Sequence, residues 1–154
     1  MHKGRCACGS VTYEMTSGPM FVHNCHCTDC QRQSGSAYVV NAMIERDRLN
    51  ISGALTDHLV ETPSGSGQKI CRCADCGVAI YSAYLVRGEK LSFLRVGTLD
   101  DPNVCPPDVQ IWTRSKQAWV TLSNDIPAFE EYYDMKAQWP VEAWERRKAC
   151  LYGD

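Results

Sequence analysis

A chain of 154 residues is the size of one domain, and 44% hydrophobic with 22% charged residues excludes a disordered or fibrous protein. A formal net charge of -2 excludes broad electrostatic attraction to nucleic acid or to an anionic membrane surface. Ten cysteines are the outlier, because a chain this long hides roughly 68–70% of its unfolded surface and needs no disulfide staples.

In chain order, Met1-His2-Lys3-Gly4-Arg5-Cys6 is followed by no apolar stretch of the roughly 7–15 residues that a secretion signal requires. Nor does any segment approach the about 18 apolar residues of a membrane span, so a reducing cytoplasm is the expected compartment. Val11, Tyr13 and Met15 alternate with polar residues as a half-buried strand would. Cys27 to Gln33 fits one short helical turn. Ser36–Ile44, Arg48–Ser52, His58–Thr62, Val78–Leu85 and Leu91–Val96 are short, rich in β-branched and aromatic residues, and divided by turn signals. Pro63-Ser64-Gly65-Ser66-Gly67 predicts a mobile loop. Ile126-Pro127 suits the start of a helix reaching Tyr133. Pro140 suits the first position of a tail helix, with Glu142 early and Arg146, Arg147 and Lys148 late.

The cysteines are clustered: Cys6 and Cys8; Cys25, Cys27 and Cys30; Cys71, Cys73 and Cys76; only Cys105 and Cys150 stand alone. Thiols this close in sequence are badly placed to bridge one another but well placed to share a tetrahedral Zn²⁺. Glycine follows Cys8 and Cys76, allowing a tight turn behind each sulfur with the glycine N–H turned toward it, whereas Gln31 follows Cys30. That pairs Cys6 and Cys8 with Cys73 and Cys76 as a closed, structural zinc site. Cys25, Cys27 and Cys30 remain as a three-ligand set with an open fourth position, the pattern of a catalytic metal. Three thiolates leave such a zinc negatively charged and a weak Lewis acid, suited to holding a substrate thiol as thiolate. The competing assignment is a second structural zinc closed by Cys71 or a histidine, which would make the chain a non-catalytic zinc module for protein interaction.

The series Cys6-x-Cys8-Gly9-x-Val11, Cys25-His26-Cys27-x-x-Cys30-x-x-x-Ser34-Gly35 and Cys73-x-x-Cys76-Gly77 resembles the glutathione-dependent formaldehyde-activating enzyme family, which includes the centromere protein V type domains. Gly97-Thr98-Leu99-Asp100-Asp101-Pro102, then Ile111-Trp112, Ser115-Lys116 and Trp119, extend the likeness over about residues 3–130. The resemblance implies a mainly β, Mss4-like β-tent zinc-binding domain, taken here as residues 1–134, with a short helical extension over residues 135–154. It implies two zinc ions, a structural one on Cys6, Cys8, Cys73 and Cys76 and a catalytic one on Cys25, Cys27 and Cys30. The chemistry implied is that of a carbon–sulfur lyase, condensing glutathione with formaldehyde to S-(hydroxymethyl)glutathione, or another thiol with another aldehyde. Expected partners are therefore a small thiol and an aldehyde, with no nucleic acid and no membrane; a homo-oligomer stays open. Arg72 and Gln110 stand where the family more often has phenylalanine and histidine, and the tail lies outside its pattern.

Among single residues, Arg32 is the candidate to offset the zinc's charge or grip a glutathione carboxylate. Arg72 and Lys116 are weaker candidates. His26 is expected to point away from the metal, His23 and His58 to be unremarkable, Asp101 to cap a turn, and Trp112 and Trp119 to be core or pocket wall.

Overall fold

In the computed structural model, which describes residues 1–62 and 65–153, ten strands form two sheets. The smaller sheet is antiparallel and ordered β1 (His2–Arg5), β2 (Thr12–Met15), β5 (Leu49–Ser52). The larger contains β3 (Phe21–Cys25), β4 (Val39–Glu45), β6 (Leu55–Val60), β7 (Gln68–Cys73), β8 (Ala79–Tyr84), β9 (Leu91–Arg95) and β10 (Val109–Ile111). Its order is β10-β3-β4-β9-β8-β7-β6, antiparallel throughout except where β10 runs parallel to β3. The helices are α1 (Thr28–Ser34), α2 (Met135–Gln138) and α3 (Val141–Tyr152). The fold is thus mainly β with a helical tail, as expected.

The two-residue period of a strand divides the large sheet into two jobs. Val22, Ala42, Ile44 and Leu94 join Tyr13, Met15 and Leu49 of the small sheet, and Val11 just before it, in one apolar core. Their neighbours Phe21, Cys25, Met43 and Leu91 point to the other face, where Trp139 and Ala143 of the tail cover them. Cavity-lining residues His23, Asn41, Phe93 and Arg95 occupy the same parity.

Several elements differ from expectation. Strands β1, β3, β7 and β10 carry no clear alternation; β3 is buried at all five positions, which hides the period. Residues 126–133 form no helix. Gln110 N–H donates to the Pro127 carbonyl at 2.9 Å and Phe129 N–H to the Gln110 carbonyl at 2.9 Å, so this segment runs beside β10 instead. Pro140 caps α3 rather than occupying its first turn, and the helix runs on to Tyr152, leaving Arg146, Arg147 and Lys148 in mid-helix. Pro63 and Ser64 of the expected loop lie outside the described residues. Trp119 is not wall or core but 75% exposed.

Candidate metal centres and cavity

Two turns of the same construction carry four cysteines. Cys6 N–H donates to the Val11 carbonyl (3.0 Å) and Cys73 N–H to the Val78 carbonyl (2.9 Å), the same five-residue reach in each. Gly9 and Gly77 take φ of 82° and 73°, a region open to glycine at no steric cost. Their N–H groups donate to the carbonyls of Cys6 (3.2 Å) and Cys73 (2.9 Å), not to sulfur. The sulfurs are served by other amides: Val11 N–H reaches Cys6 Sγ at 3.3 Å, and the N–H groups of Val78 and Cys8 pull the Cys76 thiol down to about 6.

The four sulfurs of Cys6, Cys8, Cys73 and Cys76 lie within 4.8 Å of one another. Cys6 and Cys8 are 3.5 Å apart and Cys8 and Cys73 3.8 Å. A tetrahedron with Zn–S bonds of about 2.3 Å has edges of about 3.8 Å, so this donor set fits zinc.

The second group consists of Cys25, Cys27 and Cys30, also within 4.8 Å of one another; no fourth histidine, cysteine or acidic ligand completes it among the described residues. Cys25 ends β3. Cys27 is the N-cap of α1, its Sγ accepting from Cys30 N–H at 3.3 Å, so one sulfur both starts the helix and faces its partners. The thiols of Cys25 and Cys30 donate to Cys27, and with the N–H groups of Cys30 and Asp29 they hold it down to about 2. Those same contacts push Cys25 far up. Three sulfurs brought this close are a donor set suited to a soft cation.

This triad forms part of the wall of a cavity of about 820 Å³, within the size range of small-molecule sites. Arg95 of β9 lines the cavity too, held by the Asn41 side chain and by Gln33 Oε1 at 3.1 Å. Although burial lowers its pKa, the nearby Cys30 and Cys25 favour its charge, which places a cation beside the negative triad. Arg32 lies on the exposed side of α1 and is not among the cavity-lining residues. Sequence reasoning missed Arg95, because nothing local to β9 tells which of its faces lines the cavity.

His23 is buried in the cavity wall, its Nε2 2.6 Å from Tyr133 Oη, which also accepts from Trp139 Nε1 at 2.8 Å. Burial holds its imidazole down to about 4, hence neutral. His26 is fully buried beside Tyr38, and neither ring nitrogen finds a hydrogen-bond partner among the described residues. It stands outside both sulfur groups, and His58 is exposed on β6. Arg72 bridges the two centres, donating to the Gly77 carbonyl at 3.0 Å and the Gln33 carbonyl at 3.4 Å. Lys116 is half-buried, close enough for its charge to help burial depress the His26 pKa, and is not among the cavity-lining residues. Trp112 is half-buried in the cavity wall. Asp101 Oδ1 accepts from Asn103 N–H at 3.0 Å and Asp100 pairs with Arg5 at 3.3 Å, a capped turn.

Comparison with known proteins gives one family match: the model described as glutathione-dependent formaldehyde-activating enzyme aligns with residues 1–115. A Penicillium rubens protein, named provisionally as a glutathione-dependent formaldehyde-activating enzyme, is 30% identical over 81 residues. That alignment spans 51% of this chain and 42% of the relative. A crystal structure of a Rhodobacter sphaeroides protein aligns at 20% identity and a TM-score of 0.47, over 82% of this chain and 98% of that one.

Proposed function

The chain belongs to the glutathione-dependent formaldehyde-activating enzyme family, and from that premise we propose that it condenses a small thiol, glutathione, with an aldehyde, formaldehyde, to a hemithioacetal. The observation that carries this reading is an incomplete ring of three thiols in the wall of a cavity. Cys25, Cys27 and Cys30 would hold a catalytic zinc, and Cys6, Cys8, Cys73 and Cys76 a structural one. Zinc in the open site supplies a lowered thiol pKa, keeping a nucleophilic sulfur at neutral pH.

In the reaction, the thiol sulfur forms a bond to the carbonyl carbon, the carbonyl π pair moves to oxygen, and the proton lost from sulfur ends on that oxygen. The reverse step is carbon–sulfur cleavage. Thiols add to formaldehyde unaided, so the chain supplies orientation and charge rather than a new pathway. Arg95 offsets the extra negative charge brought by a fourth sulfur. Phe93, Ile111 and Trp112 give the cavity apolar walls. All ten cysteines are unpaired, which fits the reducing cytoplasm we propose as its compartment.

The test follows hemithioacetal formation from glutathione and formaldehyde with zinc-loaded protein. The rate rises above the spontaneous background, and Cys27→Ser abolishes the excess. A Cys27→Ser protein that binds glutathione and turns over like the parent, its metal still in place, rules the assignment out.

A further inference from the structure

Residues beyond the family-matched 1–115 reach into the same cavity: Tyr132, Met135 and, from α3, Arg147. Arg147 is unusual for an arginine, being only 5% exposed. Among the described residues its buried Nε–H has no hydrogen-bond partner. The guanidinium lies 5.4 Å from the centroid of the Trp144 ring, which fixes its plane. Around it stand Arg87, a second cation, and the phenols of Tyr132 and Tyr152, of which Tyr152 accepts a hydrogen bond from the guanidinium; no carboxylate pairs with it among the described residues. Asp29 and Glu61, the two carboxylates in the cavity wall, are not paired with it.

Of the four arginines in the cavity wall, Arg147 is buried with no carboxylate partner among the described residues and Arg87 stands beside it, which makes this corner a receptor for an anion. A buried cation without a counter-ion is costly to the fold, and a bound anion relieves that cost. A planar guanidinium suits a carboxylate, which it grips through parallel N–H···O bonds. We infer that Arg147, assisted by Arg87, seats a carboxylate of the thiol substrate, so that the C-terminal extension sets specificity for an anionic thiol. The inference rests on the thiol–aldehyde reading of this cavity, whose proposed substrate, glutathione, carries a carboxylate at either end.

The experiment measures binding calorimetrically with S-methylglutathione, which has both carboxylates but no free thiol, and with its diethyl ester, on the zinc-loaded full chain. Parent protein binds the acid more tightly than the ester. Arg147→Met weakens acid binding by roughly 10- to 100-fold, the worth of a hydrogen-bonded charge, and leaves the ester unchanged. Arg147→Lys retains charge without the fork and falls between; Arg87→Met shows a smaller, equally ester-insensitive loss. Should Arg147→Met not fold, the Lys variant and Arg87→Met carry the decision. Equal binding of acid and ester, equal losses for both ligands, or no binding to the parent overturns the inference. Turnover of glutathione with formaldehyde is followed in parallel. Absent turnover with arginine-dependent acid binding would sink the reaction and leave the carboxylate seat standing; normal turnover without that dependence would do the reverse.

Discussion

Cys71 and Cys73 are next-but-one neighbours on β7, both fully or nearly buried in the core between the sheets, yet only Cys73 meets other thiols. A bulge at Cys71/Arg72 shifts the register with β8, and Cys71 is left facing Tyr81 and Asp57. Burial pushes its thiol up to about 11, and its sulfur belongs to neither of the two thiol groups. Cys71→Ala is therefore predicted to keep the parent's zinc content, with a stability loss of about 1 kcal/mol for the lost core volume. Cys76→Ser, by contrast, loses one zinc per chain and much of the cooperative unfolding transition. Zinc analysis after desalting and thermal melts of both variants check this. A Cys71→Ala protein short of one zinc would return Cys71 to the ligands and make the chain a structural module. Arg32 shows why a residue can be misplaced from sequence: adjacency to Cys30 suggested proximity, but a helical turn carries the two side chains to different faces.

Among elements, β2 was legible because one of its faces is solvent-facing, so Tyr13 and Met15 alternate visibly with polar neighbours. Strand β3, which supplies Cys25 and His23, was not, because both its faces are covered. The two cysteine turns were legible from glycine alone, since their φ values require it. What no local pattern could show is the parity of the large sheet, which decides that Arg95 and Asn41 face the cavity together. Tyr13 gives the element-level prediction. Its phenol, 2.7 Å from Thr98 Oγ1, ties β2 to the turn after β9, and burial pushes its pKa up to about 12 from 10.0. The folded state holds that proton more tightly than the unfolded one. The associated stability is present below pH 10 and lost as pH rises to about 12, an effect of about 2–3 kcal/mol. Tyr13→Phe is predicted to cost about 1 kcal/mol at pH 7 through the lost hydrogen bond, and to remove that alkaline loss. Urea unfolding at pH 7, 10 and 11.5 measures it; identical slopes for parent and variant would count against the assignment.

For the whole molecule, the tail is part of the folding unit's second core and not an appendage. Trp139 is 5% exposed and stacks on Phe21 at 4.9 Å, while Arg146 pairs with buried Glu45 at 2.7 Å. We propose the boundary after Asp134 as the edge of the family domain, with the extension covering its otherwise bare face. Trp139→Ala is predicted to destabilise by about 3–5 kcal/mol in denaturant unfolding. A loss below about 1 kcal/mol would show a loosely attached tail. The central claim, an open three-thiol metal site that takes the substrate's sulfur, is tested most directly by zinc-edge X-ray absorption on protein loaded at both sites, with and without glutathione. The account predicts that the mean number of sulfurs around zinc rises when glutathione is added and does not rise in Cys27→Ser. A sulfur count already complete before glutathione, or unchanged by it, would contradict the claim.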